Sequence, residues 1–326
     1  VTLIALLGGC TSTSVTEKYQ DKRNDIINVK DKVIEFETGN VLIGSVSRLY
    51  MSNKCLLIAD HKSVDKQIHI FNKNDFSYLT SIGNFGEGPE EITVMGCLAI
   101  DEAHHQLYVS DHAKQKIFSY DMDSVMVDSL YKPQVKTAMN ETLFPSEYQY
   151  INDTLSIAVL IKPTSTSTFN QFLGRWNMNT GEMIPMKYTH PDIQKKRITF
   201  AASEKAGIYV ECYTRHDLMT ICSLDGELLY NIYGPDWDGG NGNKLQSFGT
   251  VMIGNDKIFV SYCGEDYARD SFPTKILVFD LEGNYLKTLE TGYKISDCCY
   301  DSFNNRIILS LNDVVQFAYL DIDGII

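Results

Sequence analysis

The sequence predicts an all-β protein, a six-bladed β-propeller of four-stranded antiparallel blades whose ring is closed by an N-terminal strand. Three observations carry this expectation. An apolar pattern suited to the second strand of a blade recurs at Leu56–Asp60, Leu107–Asp111, Leu155–Val159, Ile208–Cys212, Ile258–Tyr262 and Ile307–Leu311, so that successive strand ends are 51, 48, 53, 50 and 49 residues apart. A second ladder with the same phase ends each third strand, at Phe71-Asn72, Tyr120-Asp121, Trp176-Asn177, Leu224-Asp225-Gly226, Phe279-Asp280 and Leu320-Asp321, and each step leads into an Asn, Asp or Gly turn. The third observation is a shortage: after Asp321 too little chain follows for an outer strand of the sixth blade. Lys32–Thr38, KVIEFET, alternates like a strand before the first blade begins near Val41, and pairing it with blade six removes an open edge.

One unit shows all the parts. From Ser81 to Tyr131 a glycine-rich loop is followed by expected strands at Cys97–Asp101, Gln106–Asp111, Gln115–Asp121 and Met126–Tyr131, each bounded by turn residues. The turns that precede most second strands, such as Asn53-Lys54, Asn152-Asp153 and Asn255-Asp256, have the composition of tight β-turns.

The first ten residues, VTLIALLGGC, are an apolar run ending in small residues and a cysteine, the pattern that closes a secretory signal. Leu7-Gly8-Gly9-Cys10 resembles the bacterial lipobox, which implies lipidation at Cys10. Residues 1–10 are therefore expected to be a signal remnant, residues 11–31 a polar tether, and residues 32–326 the propeller. These features place the protein in the bacterial cell envelope, exported and held to the membrane through lipid alone. No other stretch approaches the roughly 20 apolar residues of a membrane span.

The 326 residues, 44% hydrophobic and 22% charged, suffice for a large core in a single ring. A net charge of -13 excludes nucleic acid as the expected partner, since phosphate binding needs a clustered basic surface. The nearest cluster, Lys195-Lys196-Arg197, is short and is read as solvated surface. Apart from Cys10 there are seven cysteines, an odd number that cannot pair completely. Most lie in apolar strand runs and are expected to be core thiols, with Cys212 and Cys222 as the pair nearest to a cross-hairpin disulfide.

Gly83, Phe85-Gly86, Gly88-Pro89, then LYVSD and IFSYD, resemble the NHL repeat, and the chain from Lys32 onward is similar to the NHL/TolB-like six-bladed propeller lipoproteins of bacteria. The resemblance implies the fold and a binding face built by the loops that join strand two to three and strand four to the next blade. In this chain those loops hold His61, Glu87, His112, Tyr213, Arg215, His216, Asp236, Trp237, Asp238, Glu265, Asp266 and Arg269, the candidate ligand-binding residues.

Asp60-His61 and Asp111-His112 repeat one dipeptide at one blade position, with Arg215-His216 close to it in blade four. Such histidines cap turns, touch a ligand, or gather a metal around one mouth. Glu87, Glu90 and Glu91 are expected beside a turn built by Gly86, Gly88 and Pro89, with one of them facing the central channel as the alternative. The loop Asp236–Asn243 offers closely spaced oxygen ligands suited to calcium, and Trp237 a stacking platform for a sugar or peptide side chain. CGEDYARDSFP, Cys263–Pro273, suits a polar ligand.

There is no nucleophile elbow, HExxH, P-loop or dinucleotide fingerprint. The expectation is a monomeric binding or scaffold module that engages a peptide, glycan or partner protein and carries no resident cofactor or metal. The alternative is a metal-dependent lyase or lactonase with calcium or zinc in the channel.

Overall fold

The computed structural model describes residues 16–326 apart from 129, 195 and 243. The Cys10 lipidation site therefore lies outside the described residues. Three short N-terminal strands, β1 (Glu17–Tyr19), β2 (Ile26–Asn28) and β3 (Val33–Glu35), precede the first blade. Blade one is β4 (Ser47–Met51), β5 (Cys55–Asp60), β6 (Lys66–Asn72) and β7 (Tyr78–Asn84); blade two is β8 (Met95–Asp101), β9 (Gln106–Asp111), β10 (Lys116–Asp121) and β11 (Gln134–Ala138). Blade three is β12 (Phe144–Asn152), β13 (Leu155–Pro163), β14 (Phe169–Trp176) and β15 (Met183–Pro185); blade four is β16 (Ile198–Ser203), β17 (Ile208–Tyr213), β18 (Leu218–Ser223) and β19 (Leu228–Tyr233). Blade five is β20 (Leu245–Gly254), β21 (Lys257–Asp266), β22 (Lys275–Asp280) and β23 (Tyr285–Glu290), and blade six is β24 (Ile295–Asp301), β25 (Arg306–Leu311) and β26 (Phe317–Asp321) completed by β3.

The second strand of each blade is the ladder seen in the sequence, and its burial explains why it repeats. Every residue of β5, β17 and β25 is buried, because adjacent blades cover both faces of the strand. The core therefore lies between blades. Leu57, Ile68, Leu98, Val109 and Phe118 fill one such gap, and Phe259, Ile276, Cys298, Ile307 and Leu309 another.

β3 pairs antiparallel with β26, Ala318 opposite Glu35, and the Phe36 N–H donates to the Phe317 carbonyl at 3.1 Å. The Phe36 ring then stacks on Phe76 of blade one with centroids 3.9 Å apart and on Phe317 at 5.9 Å. One strand thus completes blade six and clips it to blade one, as the sequence predicts.

Two local expectations are corrected. Met126–Tyr131 is not the outer strand of blade two. The Asp121 carboxylate accepts from the Ser124 N–H at 2.7 Å, an N-cap that starts helix α1 (Met122–Val127), and Val125 anchors the helix in the core. The outer strand is displaced to β11.

The described part of the polar tether is also ordered on the ring. β1 adds to β19 and β2 to β23, both parallel, so blades four and five carry a fifth strand outside their antiparallel four. Val29 beyond them is fully buried. Strands of three residues are too short to give a periodic signal in the sequence, and the polar side chains that suggested a tether are its anchors. Arg23 donates to both Asp217 carboxylate oxygens, at 2.8 and 3.2 Å, and Glu17 accepts from Tyr233 Oη and from Asn231.

The seven described cysteines are free and buried. Cys212 faces Met219 across its hairpin and Cys222 faces Tyr209, so the two are not cross-strand partners.

Candidate functional site

Antiparallel strands alternate in direction, so connections from strand two to three and from strand four to the next blade emerge on one face of the ring. The two faces differ. The opposite face is mostly tight turns, such as Asn255-Asp256 and Asp153-Thr154, whereas the described residues within 186–194, 196–197, 234–242 and 267–274, with Lys244, lie on the loop face. Two strand pairs also extend on it: β13 and β14 stay paired as far as Pro163 and Phe169 before their turn, and the open end of the β20–β21 pair reaches Leu245 and Asp266.

Asp60 and Asp111 build this face. Asp60 accepts from the backbone N–H groups of Gly44 and Lys62 at 2.7 and 2.9 Å. Asp111 accepts from those of Thr93, Val94, Ala113 and Lys114 at 2.8 to 3.2 Å, tying the loop entering blade two to its own strand two–three turn. The following imidazoles, His61 and His112, are partly buried, and neither Nε2 atom has a hydrogen-bond partner among the described residues. Burial lowers both pKa values, and the Arg48 cation adds to this, so both rings are neutral at neutral pH. Gly96 makes the space for His112, because a Cβ there would lie 2.4 Å from its Nε2.

The third histidine is not beside them. His216 is buried in blade four with Nδ1 3.6 Å from an Asp238 carboxylate oxygen, and its ring packs near Tyr213 and Trp237. Trp237 is half-buried against Tyr233, His190 and His216, which corrects the expectation of an open stacking platform. Tyr213 is fully buried and is corrected from ligand contact to core. Asp236 accepts from Tyr262 Oη at 3.3 Å.

The remaining candidates divide. Glu265 and Arg269 form an exposed pair at 3.0 Å, Asp266 caps the short 3-10 turn Tyr267–Arg269, and Arg215 lies over the Tyr267 ring. Glu87 is exposed, Glu90 pairs with Lys132 at 2.7 Å, and Glu91 accepts from the Gly88 N–H at 2.8 Å. Among the described residues the only His, Cys, Asp and Glu side chains close enough to hold one ion are Asp101, His104 and Asp153, on the opposite face. That cluster is satisfied internally: Asp101 accepts from the His104 backbone at 3.1 Å and from Tyr108 Oη at 3.2 Å, and lies 2.9 Å from His104 Nδ1.

The central channel encloses about 900 Å³ between the first strands of the blades. At its loop-face end Arg48 of blade one reaches Glu147 of blade three at 2.7 Å, with 46% and 39% of the two side chains exposed to the channel. Asp297 of blade six accepts from the Leu49 N–H at 2.8 Å and from Thr250 Oγ1 at 2.7 Å. Its pKa is pushed up by burial, against the pull of those hydrogen bonds. Burial also raises the Cys97 thiol to about 12 and the Cys222 thiol to about 11, so neither is a ready nucleophile.

Residues 12–171 match the family model DUF5128, described as a 6-bladed beta-propeller. No curated protein matches the chain in sequence. Solved structures share the architecture. A candidate exported protein of Bacteroides fragilis is 13% identical, with a TM-score of 0.60 over 94% of this chain and 98% of that one. A DUF4221 family member from Bacteroides vulgatus is 10% identical, with a TM-score of 0.61 over 92% and 98%. The propeller domain of Myceliophteria thermophila Cps50 (Swd1) is 9% identical, with a TM-score of 0.54 over 86% and 98%. At these identities the likeness is one of fold.

Sequence reasoning missed Arg48, Glu147 and Asp297. A partial signal was present: each is a charged residue within the first strand of its blade, in SRLYM, FPSEYQYIN and ISDCCYD, but Asp301 of the same strand as Asp297 is buried against Lys73 and Arg306, so a charge in a first strand does not by itself mark the channel.

Proposed function

We propose that this protein is an exported, lipid-anchored binding module that takes its ligand on the loop face, at the mouth of the central channel. The observation that carries the reading is the Arg48–Glu147 pair with Asp297, three ionisable groups from three blades converging on one open cavity within a rigid ring. A preformed concavity with few convergent polar groups is the ordinary form of a ligand site. Because both members of the ion pair face the channel, their loss removes recognition rather than fold. Arrays of peptides and oligosaccharides probed with the full chain are expected to give a ligand whose affinity falls about tenfold in Arg48→Ala and in Glu147→Gln. A ligand bound equally by wild type and both variants would overturn the channel-mouth assignment.

Export and anchoring rest on the lipobox pattern ending at Cys10 and on the likeness to a protein described as a candidate for export. Two acyl signals hold a protein to a bilayer far more firmly than charge does. Cys10→Ser is expected to move the protein from the membrane to the soluble fraction, and unchanged membrane retention refutes the anchor.

The metal-enzyme alternative draws on the neutral His61 and His112 rings, which have the protonation state of metal ligands. Among the described residues no third ligand from another blade joins them, since His216 is packed among the blade-four aromatics. The binding reading is preferred on that geometry.

A further inference from the structure

The loop face of blade four carries two arginines that lean on aromatic rings of the neighbouring blades. Arg197 lies 5.4 Å from the Phe169 ring at the base of the blade-three hairpin tip, and Arg215 lies over Tyr267 on the blade-five hairpin. Neither guanidinium makes a hydrogen bond or ion pair among the described residues. Their backbones adjoin, since the Thr214 N–H donates to the Arg197 carbonyl at 2.8 Å and the Thr214 carbonyl accepts from Ser247 of blade five at 3.0 Å, and their side chains lean toward the hairpins on either side of blade four.

The nearby acids are engaged elsewhere. Glu211 is paired with Lys196 at 2.7 Å, Glu265 with Arg269 at 3.0 Å, and Asp238 lies beside His216. In a chain of net charge -13, two unpaired guanidiniums braced by rings from neighbouring blades stand out against the general field. An arginine stacked on a ring keeps its in-plane N–H edge free for bidentate pairing with an oxyanion.

We propose that Arg197 and Arg215, with Phe169 and Tyr267, form a second binding site, separate from the channel mouth, for a carboxylated glycan. The carboxylates pair with the guanidinium edges. The rings, 46% and 51% exposed, offer apolar faces to the sugar, and the turn Thr164–Thr168 between the strands of the blade-three hairpin adds hydroxyl groups.

The test is calorimetric titration of the full chain with oligogalacturonate, its neutral methyl ester and poly-glutamate. Binding to oligogalacturonate is expected, weakened by salt and lowered about tenfold in Arg197→Ala and in Arg215→Ala. Arg197→Lys and Arg215→Lys should retain only part of the affinity, since an ammonium keeps the charge but loses the planar fork. Arg175→Ala, which removes an exposed arginine already paired with Asp225, serves as the control and should change nothing. No binding, equal binding of the neutral ester, or insensitivity to both alanine variants overturns the site. Arginine-dependent binding of poly-glutamate in place of oligogalacturonate overturns the glycan assignment.

Discussion

Replacing Arg23 with methionine is expected to destabilise the whole ring by about 3–5 kcal/mol, the cost typical of removing one partner from a buried ion pair. Arg23 and Asp217 are 7% and 0% exposed at the side chain, and the guanidinium also lies within 5.3 to 5.8 Å of the Phe248, Tyr262 and Phe279 rings. Without it, the Asp217 carboxylate keeps, among the described residues, the Tyr262 hydroxyl and the Asp236 N–H. The effect has a pH signature. Burial raises the Asp217 pKa even in the native protein, and Arg23 is the main opposing influence. With the arginine gone the folded-state pKa rises further, so between the unfolded and folded values the native state binds more protons than the unfolded state. Stability of the variant relative to wild type therefore falls as pH rises through that window and is recovered as pH drops below it. Urea denaturation of both proteins at several pH values measures this. A pH-independent deficit below about 1 kcal/mol would show that the strap is loosely held.

Truncation should have the other large effect. Removal of residues through Thr38 deletes β3 and Phe36, exposes the β26 edge and separates blade six from blade one, and is expected to abolish the cooperative unfolding transition. Removal through Asp25 spares β3 but takes β1 and Arg23, so the ring should still fold with a clearly lower thermal midpoint. Equal midpoints for the two truncations would reject closure by β3. A midpoint for the shorter truncation equal to that of the full chain would show that residues 16–25 contribute no stability.

The two readings of the N-terminal region show where sequence reasoning reached and where it stopped. KVIEFET was legible as a closing strand because it alternates and because blade six lacked an edge. Glu17–Tyr19 and Ile26–Asn28 were not, since a three-residue parallel strand has no period to detect and its partners, such as Asn231 and Thr288, are more than two hundred residues away. The helix at Met122 was missed for a related reason: an Asp cap and one buried valine decided against a stretch that also alternates acceptably as a strand.

By itself the sequence determined the number of blades, their phase and their closure, because a strand buried on both faces must be apolar and a ring must repeat that requirement at each blade. Only the tertiary structure decided which charged residues meet. Arg48, Glu147 and Asp297 come from three different blades, Arg197 and Arg215 are braced by rings from the two neighbouring blades, and His216 is drawn away from His61 and His112 into an aromatic cluster. Contacts across a ring depend on the angle between blades and on hairpin height, and neither leaves a periodic mark on the chain.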